Sequence, residues 1–204
     1  MKKKVCFTIV LVMVLGGAHI IFGAPAESET SREYQIKAAF LFNFFKFVDW
    51  PEEKTTDSNA LFTIGVIGTD PFGKSLEPIK EKEIKGRKVV IKQIRNLKEK
   101  ESSKNSKDAI EALRKCHLLF ICSSEKENLV TIIEALKDAS VLTVGETAGF
   151  LESSGIINFL MEDKKVRFEI NNFAAKQASL KIRSKLLRLA RRVIEEKPSG
   201  DSKK

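Results

Sequence analysis

Few residues of this chain could act as nucleophiles, bases or metal ligands, and several of them lie in or beside the run CHLLFIC, which alternates like a buried strand. Cys116 and Cys122 lie at the two ends of the run, and Ser123 and Ser124 follow it. His117 lies at the opposite end of the predicted strand from the two serines, so it is not placed to activate their hydroxyl groups. The run therefore does not predict a catalytic nucleophile.

The spacing of the two cysteines argues against a disulfide and against a metal site. A strand of this length places Cys116 and Cys122 roughly 20 Å apart, whereas a disulfide needs Cα atoms within about 7 Å. In a regular strand the two thiols also share one face, while His117, the only histidine beyond residue 26, points to the other. We predict no metal site, no cofactor and no internal disulfide, and a disulfide between chains is left open.

The glycines do not form a nucleotide-binding loop. Gly65, Gly68 and Gly73 lack the spacing of a dinucleotide fingerprint, and no Walker-type lysine follows them. The carboxylates are scattered through polar helices, and none lies on an apolar background that would shift its pKa. The motifs therefore predict no active site, which leaves only a site assembled from separate strand ends.

The elements that would position such a site alternate between strands and helices. Predicted strands cover 61–67, 87–94, 117–122 and 141–144; predicted helices cover about 70–82, 108–114 and 124–137. Asp70 with Pro71 predicts a helix start, Ser124 with Glu127 predicts a capping box, and the polar stretch 98–107 predicts a linker. Helices of this length between strands favour a parallel sheet with right-handed crossovers.

Neighbouring parallel strands end at one edge of a sheet, and ligands bind at that edge in open α/β proteins. The residues expected to meet there are Gly68, Thr69, Asp70, Ser123, Ser124, Gly145, Glu146 and Thr147. The predicted helix starts would also present free backbone N–H groups. If this edge binds a small molecule, we expect a polar or anionic one.

Residues 145–171 predict a loop followed by an antiparallel β-hairpin. In its second strand, Val166, Phe168 and Ile170 share one face, and Arg167 and Glu169 share the other. The hairpin therefore has an apolar face and a mixed face.

Gly149 and Gly155 bracket Phe150 and Leu151 in the preceding loop. Because glycine tolerates tight bends, the loop is either a structural turn or a binding loop that holds an aromatic side chain outward.

A helix is expected at each end of the domain. The first covers 31–47, with Ser31 as its cap and an apolar stripe typical of a buried core. The second covers about 172–196 and carries a basic row that is either a solvated face or an interface. The row consists of Lys181, Lys185, Arg188 and Arg192.

Residues 1–26 combine a basic start, an apolar run and an Ala24-Pro25-Ala26 end, which predicts a signal peptide cleaved before Glu27. A retained membrane anchor is the alternative. Cleavage removes three lysines and lowers the formal net charge from +9 to +6. A basic exported protein is expected to meet acidic protein surfaces or anionic headgroups, not nucleic acid. We expect one domain over 27–197 and a disordered tail over 198–204.

An ordered series of motifs resembles the YfiR family of periplasmic regulators. The motifs are KAAFLFNFFKFVDWP (37–51), IGVIGTDPFG (64–73), KGRKVVIKQI (85–94), CHLLFICSSE (116–125), VLTVGETAGFLESSGIINFLMEDKKVRFEIN (141–171) and LKIRSKLLRLARRV (180–193). The chain departs from the family at 154–156, where members often carry two glycines and a methionine. The expected fold is a single α/β domain: a mostly parallel sheet with an added β-hairpin, sandwiched by helices.

The resemblance implies a non-enzymatic periplasmic repressor that contacts the periplasmic part of an inner-membrane diguanylate cyclase. The alternative is a periplasmic small-molecule-binding protein or an enzyme that uses the strand ends, and a homodimer is left open. The residues expected to bind the partner are Phe150, Leu151, Arg167, Glu169, Arg188 and Arg192.

Overall fold

A computed structural model describes residues 28–55, 61–94 and 103–196, so the predicted signal peptide and tail lie outside the described residues. The described chain folds around an eight-stranded, mostly parallel sheet. Helices and loops cover the sheet through two separate apolar clusters. The predicted α/β class is therefore confirmed. None of the helices in the described ranges is long and apolar enough to cross a membrane.

The strands are β1 (Val48–Asp49), β2 (Phe62–Ile67), β3 (Glu83–Ile84), β4 (Arg87–Ile94), β5 (Leu118–Ile121), β6 (Leu142–Gly145), β7 (Ile157–Glu162), β8 (Lys165–Asn171), β9 (Lys181–Ile182) and β10 (Val193–Ile194). The large sheet has the order β10-β8-β7-β6-β5-β2-β4-β3, and β1 pairs with β9 in a small separate sheet. Strands β4, β2, β5, β6 and β7 run parallel, while β8 and β3 run antiparallel to β7 and β4.

The helices are α1 (Glu29–Phe47), α2 (Glu52–Thr55), α3 (Ser103–Arg114), α4 (Leu129–Ala135), α5 (Asn172–Gln177) and α6 (Ser184–Leu187). Two 3₁₀ segments, Gly73–Ile79 and Ser123–Asn128, follow β2 and β5. Strands β2, β5 and β6 are buried along their whole length, as expected for parallel strands covered on both faces.

Helix α1 packs on one face of the sheet, and the core interpretation of its apolar stripe is confirmed in part: Phe40 and Phe47 are partly buried, whereas Ile36 is 40% exposed. Phe44 is fully buried and its ring lies against those of Phe159 and Phe168, at 6.0 and 5.6 Å between centroids. The helix starts earlier than predicted because Ser28, not Ser31, is the cap, and its Oγ accepts the Ser31 N–H at 3.1 Å.

The predicted hairpin is confirmed as β7 and β8. Val166, Phe168 and Ile170 are buried as expected. Asp163 and Lys164 form the turn with φ angles of 49° and 59°. Two left-handed residues give the tight turn whose twist matches that of the strands it joins.

The helix predicted for 70–82 is replaced by a 3₁₀ segment at Gly73–Ile79. Asp70 does not cap a helix but closes a turn, in which its Oδ1 accepts the Phe72 N–H at 2.8 Å. The linker prediction for 98–107 is also wrong in part, because α3 already begins at Ser103.

The capping box predicted at Ser124 is absent, because a 3₁₀ segment follows Cys122 and α4 begins only at Leu129. The Ser124 Oγ instead accepts the Thr69 N–H at 2.8 Å from the end of β2. The local sequence predicted that the Ser124 hydroxyl caps a helix. In the structure this hydroxyl instead links the ends of β2 and β5.

The long C-terminal helix predicted over 172–196 is wrong. Helix α5 ends at Gln177, and Ser179 turns the chain with a φ of 57°. The segments that follow pair as β9 with β1 and as β10 with β8, on either side of the short α6. Strand pairing with distant partners has overridden the helical periodicity, so the basic row does not form a continuous face.

Candidate functional site

The predicted ligand residues do meet at one edge of the sheet. Register pairs Ile67 with Ile121 and Ile121 with Gly145, so β2, β5 and β6 end side by side. The edge is closely packed, because Gly68 has a φ of 102° and a Cβ there would lie 2.9 Å from the Cβ of Cys122. Gly68, Thr69 and Ser124 thus contact one another and leave little space between them, while Ser123 is exposed.

Glu146 at the end of β6 belongs to a buried ionic cluster with α1. Lys37, only 3% exposed, places its Nζ 2.6 Å from a Glu146 carboxylate oxygen and also contacts Glu33. The Tyr34 hydroxyl donates to both Glu146 oxygens, at 3.1 and 3.3 Å. A buried ammonium group needs such compensation, so these four side chains act as one unit. We call them the α1 cluster.

Tyr34 of the α1 cluster and the neighbouring Cys122 are both kept neutral. Burial, followed by the charge of Glu146, raises the pKa of Tyr34 well above its ordinary value. Burial, followed by Asp70 and Glu146, raises the pKa of Cys122 to about 12. Neither group is ionised at neutral pH, so Cys122 lacks the thiolate that a nucleophile requires.

A groove of about 790 Å³ runs beside the α1 cluster, between α1 and the segment after β2. Its volume falls in the range of small-molecule sites. The rings of Tyr34 and Phe72 meet at 5.2 Å in its wall. Of the predicted ligand residues, Asp70 lines this groove, while Ser123, Ser124 and Thr147 do not.

Phe150 and Leu151, predicted to protrude, are each only 1% exposed. Gly145 and Gly155 provide the space for the Phe150 ring, because a methyl group on either glycine would overlap it. The Leu151 carbonyl accepts the side-chain N–H of Asn171 at 2.9 Å. The loop is therefore the structural turn, and these two residues cannot anchor a partner.

Three of the four charged residues predicted to bind the partner lie on or against the mixed face of the hairpin. They are Arg167 and Glu169 of β8, and Arg192, which contacts Glu169. The Arg192 guanidinium donates to both oxygens of Glu169, at 3.0 and 3.1 Å, and to Glu152 at 3.3 Å. Arg167 lies on β8, as Glu169 does, and its Nε is 4.0 Å from a carboxylate oxygen of Glu162. Arg188 is exposed, but among the described residues it makes no ion pair with these groups.

The same face contains an unusual polar group. The Asn158 Oδ1 is buried, and no hydrogen-bond partner for it is found in the described part of the chain. Asn158 pairs across the hairpin with Glu169, and half-buried Leu160 pairs with Arg167. We define the hairpin face as Asn158, Leu160, Arg167, Glu169 and Arg192.

Cys116 and Cys122 are buried and do not pair with each other, as predicted. The prediction that they share a face is wrong, because Cys116 packs in one apolar cluster and Cys122 in the other. Regular pairing starts only at Leu118, so strand alternation does not extend back to Cys116. Within the described ranges, no group of histidine, cysteine or carboxylate side chains could hold a metal ion.

His117 has a structural role at the other end of β5. Its Nδ1 accepts the Thr63 N–H at 3.2 Å, and its Nε2 lies 3.2 Å from the Lys54 carbonyl oxygen. The ring therefore carries its proton on Nε2. Burial lowers the pKa of His117 to about 4, which keeps the ring neutral.

A family model described as YfiR/HmsC-like matches residues 34–191. The chain belongs to the YfiR/HmsC-like family. No curated protein shows significant sequence similarity to the chain. A solved structure, described as a conserved domain protein from Vibrio cholerae O1 biovar El Tor, is 15% identical with a TM-score of 0.49. That match covers 78% of this chain and 60% of the other, so the chain spans less than two thirds of its length.

The matched range includes all of the α1 cluster except Glu33 and all of the hairpin face except Arg192, which lie just outside it.

Four residues of these two sites were not predicted from the sequence: Lys37, Tyr34, Glu33 and Asn158. The signal for Lys37 was present, since it shares the helical face of Leu41 and Phe44 and must therefore be buried with them. A lysine in an apolar stripe needs a carboxylate, and the apolar surroundings of Glu146 offered one. No feature of the sequence pattern indicated that the side-chain oxygen of Asn158 would be buried without a hydrogen bond.

Proposed function

We propose that this protein is a non-enzymatic periplasmic regulator that represses an inner-membrane diguanylate cyclase by binding the periplasmic part of the cyclase. Repression would lower the concentration of cyclic-di-GMP and the formation of biofilm. The observation that carries the proposal is the YfiR/HmsC-like match over residues 34–191.

The surface that we assign to the partner is the hairpin face. Leu160 offers half-buried apolar area at its centre, and Arg167 and Glu169 lie beside it. An apolar centre with a charged rim is how protein interfaces concentrate affinity, and rim charges mainly set the rate of association.

Two charge changes test this surface. Arg167→Glu with Arg192→Glu should slow association of the mature chain with the periplasmic part of the cyclase by roughly tenfold at low salt, and less at high salt. The control Lys126→Glu makes the same kind of charge change at an exposed position in the segment after β5. Association rates measured by surface plasmon resonance against each such cyclase of the host provide the readout.

A further control separates binding from folding. Exchanging the paired charges, with Glu169→Arg and Arg192→Glu, retains an internal ion pair but reverses the charge pattern that the partner meets. Unchanged binding of this variant, together with weaker binding of Lys126→Glu, would move the interface to another face. If deletion of the gene leaves cyclic-di-GMP unchanged under several growth conditions, the cyclase hypothesis is wrong.

The groove beside α1 supports a second candidate, a small-molecule-binding protein. It has a suitable volume and combines aromatic rings, hydroxyl groups and the cations Lys74 and Lys82. A thermal-shift screen of periplasmic metabolites tests it. A ligand-dependent rise in Tm that Lys74→Glu abolishes would support binding there, and turnover of that ligand would favour an enzyme. If no ligand raises the Tm, the small-molecule-binding hypothesis is rejected and only the regulator hypothesis remains.

A further inference from the structure

The outer edge of β4 is paired over only part of its length. Strand β3 contributes two residues, Glu83 and Ile84, which pair with Lys88 and Arg87. The chain before β3 extends this pairing to Val89, whose N–H donates at 2.8 Å and whose carbonyl accepts at 2.9 Å. The backbone groups of Val89 therefore point away from β2 and toward the edge of the sheet.

Beyond Val89, none of the residues in 28–55, 61–94 and 103–196 pairs with the same edge. Backbone direction alternates along a strand, so the N–H and C=O groups of Ile91 and Gln93 point outward like those of Val89. Within the described ranges, no strand pairs with β4 along this side of residues 90–94. An unpaired strand edge is a template for another strand.

A groove of about 520 Å³ lies next to this open edge, between β4 and α3. Ala109 and Ala112 of α3 form part of its wall, so side chains of an added strand would have room there. Lys92 also lines the groove, together with Asp108 and the ion pair between Glu111 and Lys115. Lys88 lies on the same face of β4 as Lys92 by alternation. On the opposite face, Ile91 is only partly buried against the core.

The charge of this region selects the occupant. Residues 74–94 contain seven lysine or arginine residues and three glutamates. Lys88 has one distant partner, Glu81 at 3.8 Å, and Lys92 makes no ion pair with any described residue. Opposite charges on paired strands stabilise a sheet, while like charges weaken it. A second copy of β4 would place lysines against lysines, whereas an acidic strand would pair with them.

We propose that β4 binds an extended acidic segment of a protein partner, which adds to the sheet as a strand. Backbone hydrogen bonds from Ile91 and Gln93 supply the affinity, and Lys88 and Lys92 select glutamate or aspartate at alternate positions. Apolar residues at the positions between them cover Ile91. The site is separate from the hairpin face, because β4 and β8 lie in opposite halves of the sheet.

The test uses a synthetic probe, so it does not depend on the cyclase. The capped peptide Val-Glu-Val-Glu-Val-Glu-Val is added to the mature chain, and amide hydrogen exchange is followed by NMR. Exchange at Ile91 and Gln93 should slow by roughly tenfold or more near saturation. Val90 and Lys92, whose amides face β2, should not change. A peptide with lysine in place of glutamate should have no effect.

Two variants distinguish strand addition from surface adsorption. Gln93→Pro removes an outward N–H and fills its place, which edge positions tolerate, and should abolish the protection. Gln93→Ala retains the backbone donor and should preserve it, although the side-chain bond to the Gly68 carbonyl is lost. Protection that survives Gln93→Pro overturns the proposal. So does an absence of protection, or protection that grows with protein concentration alone, which would indicate pairing between two copies.

Discussion

The ring of Phe150 lies directly against the backbone of Gly155, where a Cβ would approach the Phe150 carbonyl oxygen to 2.7 Å and overlap the ring itself. The Gly155 N–H donates to that same carbonyl at 2.9 Å. The two residues therefore hold the loop before β7 closed, and they explain why an aromatic residue between two glycines is buried.

Truncating this ring should destabilise the domain. Phe150→Ala removes a fully buried aromatic side chain and should lower the free energy of unfolding by about 3–5 kcal/mol. Gly155→Ala should also destabilise, because the added methyl group meets the ring and the backbone. Urea unfolding measures both. The two effects should be far from additive in the double variant, since each removes the other's contact. If Phe150→Ala is as stable as the wild type, the ring does not contribute to the core and this prediction is wrong.

Lys37 should be required for stability as part of a pair. Lys37→Met leaves Glu146 and Glu33 without their cation and should cost about 3 kcal/mol or more. Adding Glu146→Leu should recover much of this loss, because the pair is then replaced by apolar groups. Chemical denaturation of the single and double variants gives the comparison. Equal stability of Lys37→Met and wild type would mean that the ammonium is solvated.

Stability should fall in mild acid through His117. Its pKa is lowered to about 4 in the fold, against 6.5 for a free histidine, so between these values the unfolded chain binds more protons. Stability is therefore fully present above pH 6.5 and is lost as the pH falls toward 4, by about 3 kcal/mol for this group. The difference between wild type and His117→Gln, measured by urea unfolding from pH 7 to 4, isolates it from carboxylate effects. A constant difference would contradict the prediction.

Both thiols should be free yet unreactive in the folded protein. Burial raises the pKa of Cys116 to about 11 and is also the main cause of the raised pKa of Cys122. A thiol reagent should therefore label them slowly at neutral pH, and completely once the chain is unfolded. Mass spectrometry under non-reducing conditions counts the labels. An internal disulfide would contradict the separate packing of the two residues.

Export remains a prediction from the sequence. The mature protein should begin at Glu27 in the periplasm, because residues 1–26 combine the three parts of a signal peptide. N-terminal sequencing of protein from a fractionated host checks this. Membrane-embedded protein that begins at Met1 would instead favour a retained anchor.

Much of the sheet could be predicted because its signals are local. The apolar run of β5 and the alternation of β8 follow from which residues must leave water, and nearby turn residues delimit them. The same logic correctly excluded a bond between Cys116 and Cys122. Burial of the α1 face also followed, since so wide an apolar surface needs a large partner.

The C-terminal segment could not be predicted in the same way. Its periodicity from Lys181 onward is that of a helix, yet β9 pairs with β1, more than a hundred residues earlier in the chain. The Asp49 carboxylate also accepts two hydrogen bonds from the Arg183 guanidinium, at 2.8 and 3.0 Å. Contacts of this kind outweigh a helix propensity of a few tenths of a kcal/mol per residue.

Local sequence was enough to predict the α/β class, the hairpin and the absence of a bond between Cys116 and Cys122, because each depends on residues close together in the chain. Three features depend instead on long-range packing: Phe150 turns inward, Lys37 meets Glu146, and no described residue pairs with the far edge of β4 beyond Val89. These outcomes depend on which distant surfaces compete for the same side chain or backbone group. Close packing and the cost of burying an unpaired charge determine which contact forms, and both act only once the whole sheet is assembled.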